Sequence, residues 1–381
     1  MTHVVSGTDP VTGRGIAVSI EDGLIAAIEP ADATGERFLS PGLVDLQVNG
    51  YAGIDLNSGR LTVEEVIALG EKLLGHGVTS FAPTLITAAE ESICQAAGVI
   101  AKARKSSEML RRMIPFIHVE GPSISPEDGP RGAHPVEHVR PPDSAEFRRW
   151  QAASGGLVGL VTVSPHWPEA PAYIAEITAQ GVHVSIGHTA ATPEQISAAI
   201  AAGARLSTHL GNGAAATLPR HPNFIWTQLD SDELTASFIA DGHHLPPETL
   251  RVMLRAKGLD RSILVSDVVS LGGMPPGRYT PPIGGSVDVL PDNRINVAGT
   301  PYLAGAGVTL DRNVAIAVGM TGLTLGDILP LATRNPGRFA GKQRGRLDVG
   351  APADLVCFRW QKGDPALDIQ QVFLGGERVA G

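Results

Sequence analysis

The sequence predicts an α/β chain: a (β/α)8 TIM-like barrel over residues 41–344, with a small β-sandwich domain formed from both chain ends, residues 1–40 and 345–381. Three observations carry that expectation. Eight short apolar or β-branched runs recur along the chain with helical stretches between them, the pattern of a parallel sheet covered on both faces. Polar residues directly follow many of those runs, at the strand ends where a barrel carries its active site. Both flanks hold strand-like pieces, and neither is long enough to bury a sheet alone.

In chain order, Gly15–Ile20 and Leu24–Glu29 open the first flank. The barrel strands are then expected at Leu43–Val48, Val78–Ala82, Ile114–Val119, Leu157–Val163, Val182–Ile186, Arg205–Thr208, Ala236–Ala240 and Ile263–Ser266. Thr62–Leu74, Ala89–Lys105, Ala172–Gln180, Pro193–Ala202 and Pro247–Lys257 have helical spacing between them. Thr62 with Glu65, and Thr192 with Pro193 and Gln195, read as capped helix starts. Asp354–Trp360, Gln371–Leu374 and Glu377–Ala380 supply the second flank. A doubly wound open sheet is disfavoured, because no glycine-rich dinucleotide fingerprint follows the first strand.

Composition narrows the function. The 381 residues are 43% hydrophobic, enough for a large core, which excludes disorder as the main state. Gly (45) and Pro (29) exceed the ordinary combined share of about 12% without any repeat, so they imply many turns in a folded body. Cys94 and Cys357 cannot build a disulfide framework and read as inert thiols on a helix and a strand, so a reducing cytoplasm is expected. No signal peptide is read at the N-terminus, and no apolar run approaches the roughly 20 residues of a membrane span. A net charge of −9 without a Lys/Arg-rich block argues against nucleic acid and leaves an anionic small molecule open.

The chemistry is expected at the strand ends: His118-Val119-Glu120-Gly121-Pro122, Gly187-His188-Thr189, Thr208-His209-Leu210-Gly211-Asn212, Asp241-Gly242-His243-His244 and Ser266-Asp267. One carboxylate and two imidazoles from neighbouring strands can share a metal and leave a position open for water, with the last Asp placed to act on that water. Trp150, Trp167, Trp226 and Trp360 are scattered and read as packing, and Leu271–Gly277 as a turn over the site. His166, His221 and His243 read equally well as bystanders.

These motifs, in this order, together with Pro41-Gly42-Leu43-Val44-Asp45, Leu303-Ala304-Gly305 and Asn335-Pro336, resemble the amidohydrolase superfamily and, within it, the N-acetylglucosamine-6-phosphate deacetylases. The resemblance covers nearly the whole chain. It implies metal-dependent hydrolysis of the acetamide of an N-acetylhexosamine 6-phosphate, by a homodimer. It implies Glu120, His188 and His209 as ligands of one divalent ion per subunit, Zn2+ first, with Fe2+, Mn2+ or Co2+ as alternatives. Asp267 then looks like the general base and acid, and His244 faces the acetyl carbonyl. His134, Asn212, Gly213 and Leu303 look like substrate contacts, and Arg220 like a phosphate-binding arginine that reaches the neighbouring subunit. Where many amidohydrolases have a His-x-His pair for a second metal, this chain has Gln47-Val48-Asn49, and neutral amides are poor zinc ligands, so one metal is expected. Other N-acylated hexosamines, or a catalytically silent binding barrel, are the alternatives.

Overall fold

A computed structural model of the chain describes residues 3–32, 35, 37–281, 285–300, 302–341 and 343–380. Eight parallel strands follow one another: β1 (Leu43–Val48), β2 (Val78–Ile86), β3 (Ile117–Glu120), β4 (Val158–Val163), β5 (His183–Ile186), β6 (Leu206–Ser207), β7 (Thr235–Phe238) and β8 (Ser262–Leu264). The ring closes just beyond β8. Val268 bridges Val48 in parallel, the Asp267 amide donates to the Gln47 carbonyl at 3.0 Å, and the Asn49 amide donates to the Val268 carbonyl at 2.9 Å.

Several strands differ in extent from the sequence pattern. Val78–Ala82 extends to Ile86, whereas Arg205–Thr208 shrinks to two paired residues. Ile114 belongs to the end of the helix Glu108–Met113, whose Leu110 carbonyl accepts its amide, so β3 starts three residues later than expected. Pairing partners decide these limits, and an apolar run does not reveal them.

Helices cover the ring on the outside, and both expected capping boxes are present. Thr62 accepts from the Glu65 amide at the start of Val63–Gly75, and Thr192 from the Gln195 amide at the start of Pro193–Ala201. Such helices bury one stripe against the strands, here Val66, Leu69 and Leu73 in the first of them. Inside the ring, Val44, Leu46, Leu160, Leu206 and Ile263 fill the lower layer. Above them lies a polar layer: His118 Nε2 is 2.8 Å from Thr162 Oγ1, which is 2.8 Å from Thr208 Oγ1, and Ser185 Oγ is 2.6 Å from that same atom. Burial pulls His118 down to about 4, so it serves this layer as a neutral ring.

The flanks form a small β-sandwich. Its seven strands are Gly15–Glu21, Leu24–Pro30, His3–Thr8, Arg37–Pro41, Leu355–Arg359, Asp368–Leu374 and Glu377–Ala380, drawn from both chain ends. They enclose a separate core of Val18, Ile20, Ile25, Leu39, Leu355, Cys357 and Phe373. Cys357 is buried there as expected, while Cys94 is only partly covered. Between β8 and the helix Leu310–Thr321, Leu271–Gly277 is taken up by turns as expected, and after it comes a three-stranded antiparallel sheet (Gly277–Tyr279, Val287–Val289, Ile295–Val297) that the sequence pattern did not mark. Among the described residues, no helix is long and apolar enough to cross a membrane.

Candidate active site

A cleft of about 480 Å³ opens at the C-terminal ends of the barrel strands. Glu120, His134, His188, His209, Asn212, Gly213, His244, Asp267 and Leu303, each singled out in the sequence, all line it. Three of them, His188 (φ 48°), His209 (φ 28°) and Asp267 (φ 51°), have left-handed backbone although they are not glycine. Such residues are uncommon and persist where surrounding structure holds them, which is a mark of functional sites. Each follows a strand, and the reversal turns its side chain into the cleft.

Glu120, at the end of β3, is the hub. Its Oε1 accepts from Gln47 Nε2 at 2.8 Å and lies 3.0 Å from His209 Nε2 and 3.3 Å from His188 Nε2. Burial opposes its ionisation, but without a metal the His188 and His209 rings, when protonated, donate to it and hold the carboxyl well below the ordinary range. Burial likewise opposes a charge on His209, and Glu120 more than compensates, raising it.

The tautomer of His188 is set from behind. Its Nδ1–H donates to the Pro130 carbonyl at 2.9 Å, so in the neutral ring that a metal ligand requires Nε2 carries the lone pair. That buried lone pair has no hydrogen-bond donor and faces a carboxylate oxygen. Two acceptors this close repel unless a cation lies between them, so the donor set fits a divalent metal. Gly213 (φ 57°) packs directly on this ring: a Cβ there would lie 2.8 Å from His188 Nδ1.

His134 stands closer to this centre than its expected substrate role implied. Glu120, His134 and His188 can each offer an atom to one ion, all within 4.8 Å of one another. His134 Nε2 is 3.8 Å from Glu120 Oε2, and its Nδ1 is 2.9 Å from Thr87 Oγ1. Burial, helped by the nearby His188, pulls it down to about 3, which leaves a neutral ring. His134 and His209 therefore flank the same carboxylate from two sides.

On the far side of the cleft, Asp267 Oδ1 accepts from Asn49 Nδ2 at 2.7 Å. Enclosure by protein, and then the charge of Glu120, push Asp267 up to about 6. The two amides that replace the His-x-His pair thus spend their donors on the two acids of the site. His244 is held by Asp241, which the sequence reading quoted without giving it a role. Asp241 Oδ2 lies 2.7 Å from His244 Nδ1, and its Oδ1 accepts from the His243 and His244 amides. Burial resists ionisation of Asp241, but His244 and these amides bring it down to about 2. The i, i+3 spacing of Asp241 and His244 was the signal available in the sequence.

Other expectations fare differently. Arg220 is exposed on the loop before the helix Phe224–Asp230 and does not line the cleft of its own chain. His243 does line it, with Nε2 3.2 Å from the Asp292 carbonyl. None of the four tryptophans lines it, and Trp226 is 50% exposed and so does not pack as expected. Arg294, Tyr302, Asp55 and Asn57 complete the wall and were not singled out, because the inserted sheet and a short hairpin bring them in.

Comparison with known proteins agrees with this geometry. Residues 38–379 match the model of the amidohydrolase family. A human N-acetylglucosamine-6-phosphate deacetylase is 35% identical over 91% of this chain and 84% of its own length. An N-acetylgalactosamine-6-phosphate deacetylase of Escherichia coli O157:H7 is 30% identical over 99% of both chains. A solved N-acetyl-D-glucosamine-6-phosphate deacetylase mutant from Mycobacterium smegmatis, in complex with N-acetyl-D-glucosamine-6-phosphate, superposes with TM-score 0.88 at 28% identity over the whole of both chains. A closed barrel with its acids and imidazoles at the strand ends, and a family match spanning nearly the full sequence, lead to one conclusion: the chain belongs to the amidohydrolase family.

Proposed function

We propose that this amidohydrolase removes the acetyl group from N-acetyl-D-glucosamine 6-phosphate, giving D-glucosamine 6-phosphate and acetate, with one divalent ion per chain. The observation that carries the reading is the buried His188 lone pair turned onto the Glu120 carboxylate, with His209 on the same oxygen and Asp267 across the cleft. Glu120, His188 and His209 would hold the ion, with His134 beside them. When bound, a divalent metal polarises a carbonyl and acidifies water.

The chain's own groups supply the proton traffic. Asp267 takes a proton from the attacking water and returns it to the amide nitrogen, which leaves as an amine only when protonated. Its raised affinity for protons, about 6, suits both transfers near neutral pH. Asp241, ionised and buried, accepts from His244 Nδ1 and so fixes the ring facing the acetyl oxygen, where charge develops during the reaction. Asn212 and Leu303 line the part of the cleft assigned to the sugar. Arg220, exposed and away from its own cleft, is assigned to the phosphate of a neighbouring subunit in a homodimer.

A galacto substrate is the second reading, favoured by the full-length match to the E. coli N-acetylgalactosamine-6-phosphate deacetylase. Acetate release from both phosphorylated epimers and from unphosphorylated N-acetylglucosamine, with protein of known metal content, separates the two. The gluco phosphate is expected to turn over fastest. Equal turnover of the unphosphorylated sugar removes the role of Arg220.

A further inference from the structure

A second cleft lies at the opposite end of the barrel, where the strands begin. It encloses about 790 Å³ and is lined by Arg334, Arg338, Arg344 and Arg346, with Asp260 its one carboxylate among the described residues. We propose that this cleft is an anion-binding site for a small molecule carrying two or more phosphate groups, separate from the catalytic cleft.

The arrangement of charge is the argument. Arg334 and Arg338 stand at i, i+4 on the helix Arg334–Ala340, where like charges disfavour a helix unless something compensates them. Arg334 reaches Asp260 Oδ1 at 3.2 Å and Arg346 reaches Asp348 Oδ2 at 2.5 Å. Arg338 and Arg344 hydrogen-bond to neutral oxygens instead, although the Asp354 carboxylate also acts on Arg344. Arg338 donates to the Asp260 carbonyl at 2.8 Å, and Arg344 to Ser80 Oγ at 3.3 Å and to the Arg112 carbonyl. These bonds fix the guanidinium planes, and Arg338 keeps its charge with no carboxylate paired to it, in a chain whose net charge is −9. The adjoining depression, lined by Asp9, Asp327 and Asp348 with Arg334 and Arg346, is more acidic than this cleft. Preoriented guanidinium forks match phosphate oxygens in pairs, and the volume suits a ligand of nucleoside diphosphate size.

Calorimetric titration of the metal-loaded enzyme with pyrophosphate and with ADP tests this. One equivalent is expected to bind, at least tenfold more weakly at 300 mM than at 50 mM salt. Binding should persist when the catalytic cleft is saturated with glucosamine 6-phosphate. The paired substitution Arg338→Ala with Arg346→Ala should weaken it at least tenfold and leave turnover unchanged. Hydrogen exchange of the parent protein should show added protection in peptides covering 334–346, a readout that does not depend on the variant folding. Absence of binding, displacement by glucosamine 6-phosphate, unchanged affinity in the double variant, or protection only around residues 120–267 each overturns the proposal.

Discussion

Asp267 must hold a proton in one step and give it up in the next, and its surroundings are divided accordingly. Enclosure and Glu120 favour the acid, while the Asn49 amide and His209 favour the carboxylate. Replacing Asp267 by Asn keeps the shape and removes the exchange, so we expect one metal per chain and a turnover lower by about 10²- to 10⁴-fold; near-normal turnover rejects this role. Gly213→Ala is expected to weaken metal binding by about 10- to 100-fold, because the methyl group displaces the His188 ring, and metal content after dialysis reads this directly. At Asp45 burial is the largest influence. This residue lies beneath the site, with Oδ1 accepting from the Ser266 amide at 3.1 Å and Oδ2 without a partner, and burial raises it to about 7. A folded pKa above the unfolded one contributes stability that is complete below about 4 and lost as pH rises to about 7. Relative to Asp45→Asn, the parent should therefore lose stability between pH 4.5 and 7.5, on the order of a few kcal/mol in urea unfolding. A pH-independent difference contradicts that account.

At the scale of elements, the loop carrying Asn212 and Gly213 runs into the helix Phe224–Asp230, whose C-terminal end is fastened by Lys257. The Lys257 stem is buried, and its Nζ donates to the Gln228 carbonyl at 2.8 Å and to that of Ser231. A cation on the last carbonyls of a helix satisfies them and meets the dipole favourably. Lys257→Met should cost about 1–3 kcal/mol by urea unfolding, since it strands those carbonyls in the interior. Elements of this kind were partly legible in advance. Thr62, Thr192 and the strand-end motifs identify themselves through local chemistry, which a sequence displays. The two-residue extent of β6 and the late start of β3 depend on partners far away in the chain. The approach of His134 to the Glu120 centre, the contact of Asp241 with His244 and the arrival of Arg294 on the inserted sheet are likewise products of tertiary placement. The four arginines of 334–346 were visible, but a whole-chain charge of −9 hid them.

For the whole molecule, the metal is expected to be a structural partner as well as a chemical one. It would relieve the opposition between the His188 lone pair and Glu120, so a chelator should lower Tm together with activity, and one equivalent of ion should restore both. Two tightly held ions per chain would contradict the roles given to Gln47 and Asn49. The closure of the ring has a consequence of its own. The proposed proton carrier lies at the one seam where the last strand meets the first, its amide bonded to Gln47 and its carboxylate to Asn49, residues more than two hundred positions earlier. A chain that has made seven of its eight strands therefore has every proposed metal ligand and no proposed base. Hydrolysis then reports completion of the circle, and during refolding ion binding should return before turnover.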